Sequence, residues 1–244
     1  MKSLLILGAK SEMAISTAKL YAKNGWDLIL VGREVSKILS LLKNELEEEF
    51  HCKVKLCDLD ILEFQSHTIF FKSLMQKPDG VICFIGLLGD QKKGEIDFYK
   101  TNKVIDSNFT GIVSILNIFA NYFEKKGEGF IACISSVAGD RGRKSNYTYG
   151  SAKAALTTYL SGLRNRLSSK NVHVMTVKPG YVKTKMTKDL NIPNILKVSP
   201  NYVAKKIYKM QQRRRDIIYI PRFWSLIMIL IKLVPERIFK KLNI

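Results

Sequence analysis

Leu4-Leu5-Ile6-Leu7-Gly8-Ala9-Lys10-Ser11-Glu12-Met13-Ala14 carries the chain from an apolar run, through a turn at a glycine, into a helical period. A strand that turns directly into a helix is the first half of a βαβ unit. The free backbone N–H groups at such a helix N-terminus attract a pyrophosphate. By spacing the turn is a weak fingerprint: Gly8 is present, but Glu12 and Ala14 stand where further glycines are usual, and Glu12 brings negative charge towards the phosphates. Taken alone, the segment stays open to a plain strand-to-helix turn.

Outward from this unit the same alternation repeats. Apolar, β-branched runs bounded by turn residues occupy 28–31, 54–57, 81–84, 130–135, 172–177 and 217–220, with 4–7 as the first. Helical periodicity fills 13–24, 36–50, 149–168 and 199–213. The pattern predicts an α/β fold of the Rossmann type, doubly wound, with a seven-stranded, mostly parallel sheet flanked by helices on both faces. Right-handed crossovers then bring the functional loops to the carboxyl ends of the strands. Residues 1–220 are read as one catalytic domain and 221–244 as a C-terminal tail.

Composition is that of a globular protein, with 46% hydrophobic and 25% charged residues in 244, and there is no low-complexity tract. The charge stands out. Forty Lys and Arg against 21 Asp and Glu give +19, and residues 197–244 hold twelve of the bases but two of the acids, so +10 lies in the last stretch. Mixed with the most apolar run of the chain, that charge suits an anionic membrane better than nucleic acid, for which no recognition module is present. Cys52, Cys57, Cys83 and Cys133 form no CxxC pair and no spaced cluster with the histidines, so no metal site is expected. The apolar run before Gly8 is too short for a signal peptide, so the expected location is the cytoplasm, with membrane association at the inner face as an option.

The second strand ends at Val31-Gly32-Arg33, where NAD sites carry an acid for the ribose hydroxyl. Arg33 with Lys10 suits a 2′-phosphate instead, which favours NADP(H) over NAD(H); two surface bases in a basic protein is the alternative. Asp58 suits the adenine amino group, or serves as a cap.

The strongest signal is Ser136, followed thirteen residues later by Tyr149-Gly150-Ser151-Ala152-Lys153. At i and i+4 the Tyr149 and Lys153 side chains leave one helix face. A free phenol ionises near ~10, and an adjacent ammonium with a cationic nicotinamide brings it towards the working range, so tyrosine can act as a proton donor. Ser136, at the end of the fifth strand, hydrogen-bonds a substrate carbonyl and steadies the oxyanion that forms. Ser135 points to the opposite face.

With the first turn and Lys178-Pro179-Gly180-Tyr181-Val182-Lys183-Thr184, this set resembles the short-chain dehydrogenase/reductase family over about residues 3–186. The resemblance implies that Asn108 is the fourth catalytic residue, supporting a water relay to Lys153. It implies cofactor contacts by Gly8, Lys10, Ser11 and Met13 in the first turn, by Arg33, Asp58 and Leu59, and by Gly86. Tyr149 and Lys153 would touch the nicotinamide ribose, with Pro179, Gly180, Val182 and Thr184 around the ring. Residues 136–147 are similar to those of the subgroup whose reductase helps to epimerise decaprenylphosphoryl ribose, and its first turn likewise carries Ser-Glu and an alanine. One departure stays open: the family's Asn-Asn-Ala-Gly reads Phe84-Ile85-Gly86-Leu87 here.

In the tail, residues 223–231 are apolar apart from Ser225 but too few to span a bilayer, which takes roughly 20. Trp224 is expected at headgroup level, with Ile238, Phe239 and Leu242 sharing one face beside Arg237, Lys240 and Lys241. Covering the substrate cleft or forming a subunit interface are the alternatives. The expected function is an NADPH-dependent ketone reductase acting on a small-molecule or lipid-linked carbonyl substrate, with a β-ketoacyl or other lipid ketone as alternative. A homodimer or homotetramer is the family's habit. A non-catalytic nucleotide-binding scaffold is the reading from another class.

Overall fold

The computed structural model describes residues 2–188 and 193–242. The elements are β1 (Ser3–Leu7), α1 (Glu12–Lys23), β2 (Asp27–Gly32), α2 (Val35–Ile38), α3 (Ser40–Phe50), β3 (Val54–Asp58), α4 (Ser66–Ser73), β4 (Gly80–Cys83), α5 (Gln91–Ile96) and α6 (Phe98–Ile105). A π-helical turn, Asp106–Thr110, leads into α7 (Gly111–Lys126). Then come β5 (Gly129–Ile134), α8 (Tyr147–Leu167), β6 (Val172–Pro179), β7 (Tyr181–Val182), β8 (Lys197–Val198), α9 (Pro200–Gln212), β9 (Ile217–Ile220), α10 (Trp224–Leu233) and α11 (Glu236–Phe239).

Seven strands form one parallel sheet in the order β3-β2-β1-β4-β5-β6-β9, as expected. Because the sheet is covered on both faces, its central strands are apolar throughout. In β1, Leu4 and Ile6 pack on the side of α1, α3 and α9, while Leu5 and Leu7 pack on the side of α4, α7 and α8. Each such buried side chain contributes about 1.5–3 kcal/mol relative to exposure. The strand order reverses between β1 and β4, and the crevice at their carboxyl ends is where doubly wound sheets bind ligands.

Three local features depart from the sequence reading. The helix expected over 36–50 is two helices, broken at Leu39 (φ −106°, ψ 13°). Helix α7, which carries Ile112, Ile115, Leu116, Phe119, Ala120 and Phe123 into the core, was not anticipated. The short pair β7–β8 clamps the loop after β6 beside the sheet.

The tail folds back. On one face of α10, Trp224 and Met228 are buried against Val137, with Tyr181, Leu196, Tyr219, Ile227 and Ile231 around them. Trp224 is 4% exposed and Phe239 is 9% exposed beneath the Arg141 guanidinium, so neither stands free at a surface. Tertiary contacts take up the two aromatics assigned to the headgroup level and the interfacial face, whereas Ile238 and Leu242 stay exposed. Among the described residues no helix is long and apolar enough to cross a membrane.

Candidate active site

Two residues past the end of β5, Ser136 is still extended (φ −165°, ψ 155°), and the next residues turn into a 3-10 helix, Val137–Gly139. The Ser136 hydroxyl oxygen accepts the Ala138 N–H at 3.1 Å, which fixes its rotamer and leaves its proton to donate. Ser135 points away, as expected, and bonds the Lys153 carbonyl (3.0 Å) and Thr157 Oγ1 (2.7 Å) on α8. The turn also packs directly on the α8 backbone. A Cβ at Gly139 would meet Ala154 N at 2.8 Å, and one at Gly150 would meet the Ala138 carbonyl oxygen at 2.8 Å. Backbone contact this close requires glycine at both positions and sets how far Ser136 stands from Tyr149.

Tyr149 and Lys153 leave the same face of α8, with Lys153 Nζ 5.7 Å from the Tyr149 ring centroid. Lys153 is 1% exposed, and an ammonium so buried must be hydrogen-bonded. It donates to the Ile134 carbonyl at the end of β5 (3.0 Å) and to the Ile85 carbonyl after β4 (3.4 Å). The sheet edge thus supplies acceptors for two of its three protons.

Asn108 lies in the π-helical turn and is wholly buried. Its Nδ2 donates to the carbonyls of Leu87 (2.7 Å) and Val104 (2.8 Å), and its Oδ1 accepts the Leu87 N–H at 3.2 Å. This pairing braces the segment in which the family's asparagines are missing. A side chain at Gly86 would lie 3.4 Å from Asn108 Oδ1 and 3.6 Å from Lys153 Nζ, so Gly86 is at the meeting point of the two.

The crevice between β1 and β4 opens into a cleft of roughly 490 Å³, with Gly8, Lys10, Ser11, Glu12, Met13 and Arg33 on one side and Gly86, Thr184 and Met186 on the other. Gly8 has φ +76°, and a Cβ there would meet the Ile85 backbone N at 2.9 Å, so the chain passes this point only as glycine. The first i→i−4 bond of α1 runs from Ile15 N–H to the Ser11 carbonyl (2.9 Å), which leaves the amides of Glu12, Met13 and Ala14 ahead of the ladder. Glu12, the anion that sat badly with a phosphate site, turns its carboxylate to the Lys185 N–H at 3.0 Å and ties the loop after β7 to the mouth of the cleft. Free amides, a glycine passage and the cations Lys10 and Arg33 together fit a phosphorylated dinucleotide.

The remaining expected contacts divide. Arg33 is at the cleft rim, its side chain 62% exposed and 3.8 Å from Asp60. Asp58 accepts the Ser36 N–H at 3.2 Å, and that bonding to Ser36, more than the charge of Lys10, holds its carboxyl below the usual range. Asp58 and Leu59 are outside the cleft, which Asp60, Ile61 and Leu62 line instead. Thr184 lines it, whereas Val182 is buried in β7, and Pro179 and Gly180 precede it without lining the cleft. Lys103, Ser107 and Lys185 also face the cleft; nothing in their spacing signals this, because separate loops bring them together.

Asp140 and Arg141, not singled out in the sequence, anchor the loop between Ser136 and Tyr149. Asp140 accepts from Lys178 Nζ (2.5 Å) and from the Tyr219 hydroxyl (2.8 Å); burial first, then this carboxylate, pushes the Tyr219 phenol pKa up. Arg141 reaches into the tail.

The family model for short chain dehydrogenase matches residues 2–194. An uncharacterized oxidoreductase of Streptomyces coelicolor is 28% identical over 99% of this chain and 96% of its own length. Serine 3-dehydrogenase of Agrobacterium fabrum is 30% identical over 76% of this chain and 74% of that protein. Among solved structures, a short-chain dehydrogenase from Sphingobium yanoikuyae in complex with NADPH superposes with a TM-score of 0.82 at 21% identity, covering 97% of both chains. At that identity the likeness speaks for the fold.

Proposed function

The chain belongs to the short-chain dehydrogenase family of oxidoreductases, and on that premise we propose that it reduces a ketone to a secondary alcohol with NADPH. The observation that carries the reading is the convergence of Ser136, Tyr149, Lys153 and Asn108 at the carboxyl ends of β4 and β5, beside a cleft that offers Lys10 and Arg33.

NADPH bound in the cleft supplies the hydride. Gly8, Ser11 and Met13 hold its pyrophosphate at the start of α1, Lys10 and Arg33 its 2′-phosphate, and Gly86 and Thr184 the nicotinamide end. Ser136 donates a hydrogen bond to the substrate carbonyl oxygen and steadies the negative charge that grows there. Tyr149 gives that oxygen a proton. Lys153, fixed by the carbonyls of Ile134 and Ile85, sets its ammonium nitrogen beside the Tyr149 ring and orients the proton donor. Asn108 holds the Leu87 segment after β4 in place, and by the family resemblance it supports a water relay to Lys153 that resupplies the proton.

For the substrate we infer a lipid-linked keto sugar, a reading supported by the similarity of residues 136–147 to that subgroup, with the enzyme as a dimer or tetramer drawing its substrate from an anionic leaflet. The test is NADPH consumption against a panel of water-soluble ketones, β-ketoacyl thioesters and polyprenylphosphoryl keto sugars, with wild type and Tyr149→Phe. Turnover that Tyr149→Phe abolishes while nucleotide binding persists supports the reduction. Turnover that survives in Tyr149→Phe removes the proposed proton donor.

A further inference from the structure

Helix α9 and its C-cap, Arg213, present Tyr202, Lys206, Lys209 and Arg213 at i, i+4, i+7 and i+11, one stripe of a helix. This stripe and the edge strand β9 line a second cavity of roughly 500 Å³, with none of its residues in the cofactor cleft's lining. Lys206, Lys209, Arg213, Arg215 and Arg222 line it, over a floor that includes Met210, Ile218 and Pro221, and no carboxylate is among the lining residues. The acid nearest in the chain, Asp216, is turned to Arg164 (3.7 Å) and His173 (3.8 Å).

The cavity continues into an apolar stripe. Arg222 and Ser225, at the start of α10, line it, and from there Leu226, Ile229, Leu230 and Leu233 run along the helix at helical spacing, 66%, 50%, 66% and 72% exposed. The opposite face of α10 is spent on Trp224 and Met228. Five cations with no ion pair among the described residues, beside four exposed aliphatic side chains, are what an anionic bilayer complements: phosphate headgroups for the groove, acyl chains for the stripe. A second copy meeting this face through a two-fold axis would set cations against cations, and a nucleic-acid backbone would leave the leucines uncovered.

We propose that the face formed by α9, β9 and the outer side of α10 docks on an anionic bilayer, with lipid phosphates seated between α9 and β9 and α10 lying flat in the headgroup layer. A ten-residue helix, about 15 Å long, lies in such a layer without crossing it. The lipid-linked substrate explains why docking would be useful, but the docking itself does not depend on that reading.

The experiment is co-sedimentation of the full chain with vesicles of phosphatidylcholine alone and with about a third phosphatidylglycerol, at low and moderate salt. Wild type is compared with a charge variant, K209E/R213E/R215E, and an apolar variant, L226S/L230S. Nucleotide titration and turnover of a water-soluble ketone accompany each protein, so that loss of folding or of the reductase reading shows separately. The expected result is salt-sensitive binding to the anionic vesicles only, weakened at least roughly tenfold by either variant, with soluble turnover unchanged. Failure of wild type to bind anionic vesicles overturns the proposal, as does binding indifferent to either variant. Equal binding to neutral vesicles overturns it too. A fall in oligomeric state in L226S/L230S with vesicle binding intact assigns the stripe to a second copy, and RNA retention without vesicle binding assigns the groove to nucleic acid; both overturn it.

Discussion

Arg141 Nη1 donates to the Ile231 carbonyl at 2.6 Å and so joins the loop between Ser136 and Tyr149 to the carboxyl end of α10, where carbonyls have no helical donor. The same guanidinium bonds the Val234 carbonyl (2.5 Å) and the Glu236 carboxylate (2.8 Å), and its carbon lies 3.7 Å from the Phe239 ring centroid. The side chain is 14% exposed. Hydrogen bonds to a charged group contribute about 1.5–3 kcal/mol each and do not add fully. Arg141→Ala is therefore expected to cost about 2–4 kcal/mol in urea unfolding and to lower kcat more than it raises KM for the nucleotide. Arg141→Lys recovers little of either, because an ammonium cannot reproduce the fork. An unchanged unfolding midpoint in Arg141→Ala would remove the latch from the account.

Asn108→Ala leaves the Leu87 amide and the carbonyls of Leu87 and Val104 without their present partners inside the protein. Such orphaned groups cost about 1–3 kcal/mol each where water cannot reach them. The expectation is a loss of roughly 2–4 kcal/mol together with a fall in kcat, since the Leu87 segment adjoins the carbonyl that holds Lys153. Wild-type unfolding in this variant would show that the brace carries no weight.

Folding lowers the pKa of both His67 and His173, in each case first through burial. Both imidazoles are in the interior, His67 with Nδ1 2.9 Å from Ser114 Oγ and His173 with Nε2 3.1 Å from the Arg215 carbonyl. A histidine whose folded pKa is depressed binds its proton more readily when unfolded, so stability is complete above the unfolded value of about 6.5 and falls as pH drops through the folded one. Urea midpoints measured from pH 8 down to about 5 are expected to hold level and then decline from near 6.5. The decline should be shallower in His67→Gln or His173→Gln; the same slope in both would refute the assignment.

What was legible in the sequence follows from where the information lies. The seven strands were readable because a parallel sheet covered on both faces demands unbroken apolar runs such as Leu4-Leu5-Ile6-Leu7. Ser136, Tyr149 and Lys153 were readable because one strand end and one helical turn place them, and both are local. Helix α7 escaped because its β-branched and aromatic residues favour strands when read singly, and packing on the sheet overrides them. Asp58 stood out because it directly follows the apolar run of the third strand, but the Ser36 amide claims it, and Asp60, two residues on, lines the cleft instead. Trp224 and Phe239 pointed to an interface as amphipathic tail residues do; their partners, Val137 and Arg141, are some ninety residues away in the chain and leave no local trace.

The most direct test of the central claim is a titration of the purified protein with NADPH and with NADH, followed by nicotinamide fluorescence, for wild type and Arg33→Ala. Arg33 is mostly exposed and its pair with Asp60 is a surface pair, worth little, so the guanidinium is free to turn to a 2′-phosphate. NADPH is expected to bind at least about tenfold tighter than NADH, a margin of about 1.4 kcal/mol that Arg33→Ala removes while NADH binding stays unchanged. Equal affinities, a preference for NADH, or no binding of either nucleotide would contradict it.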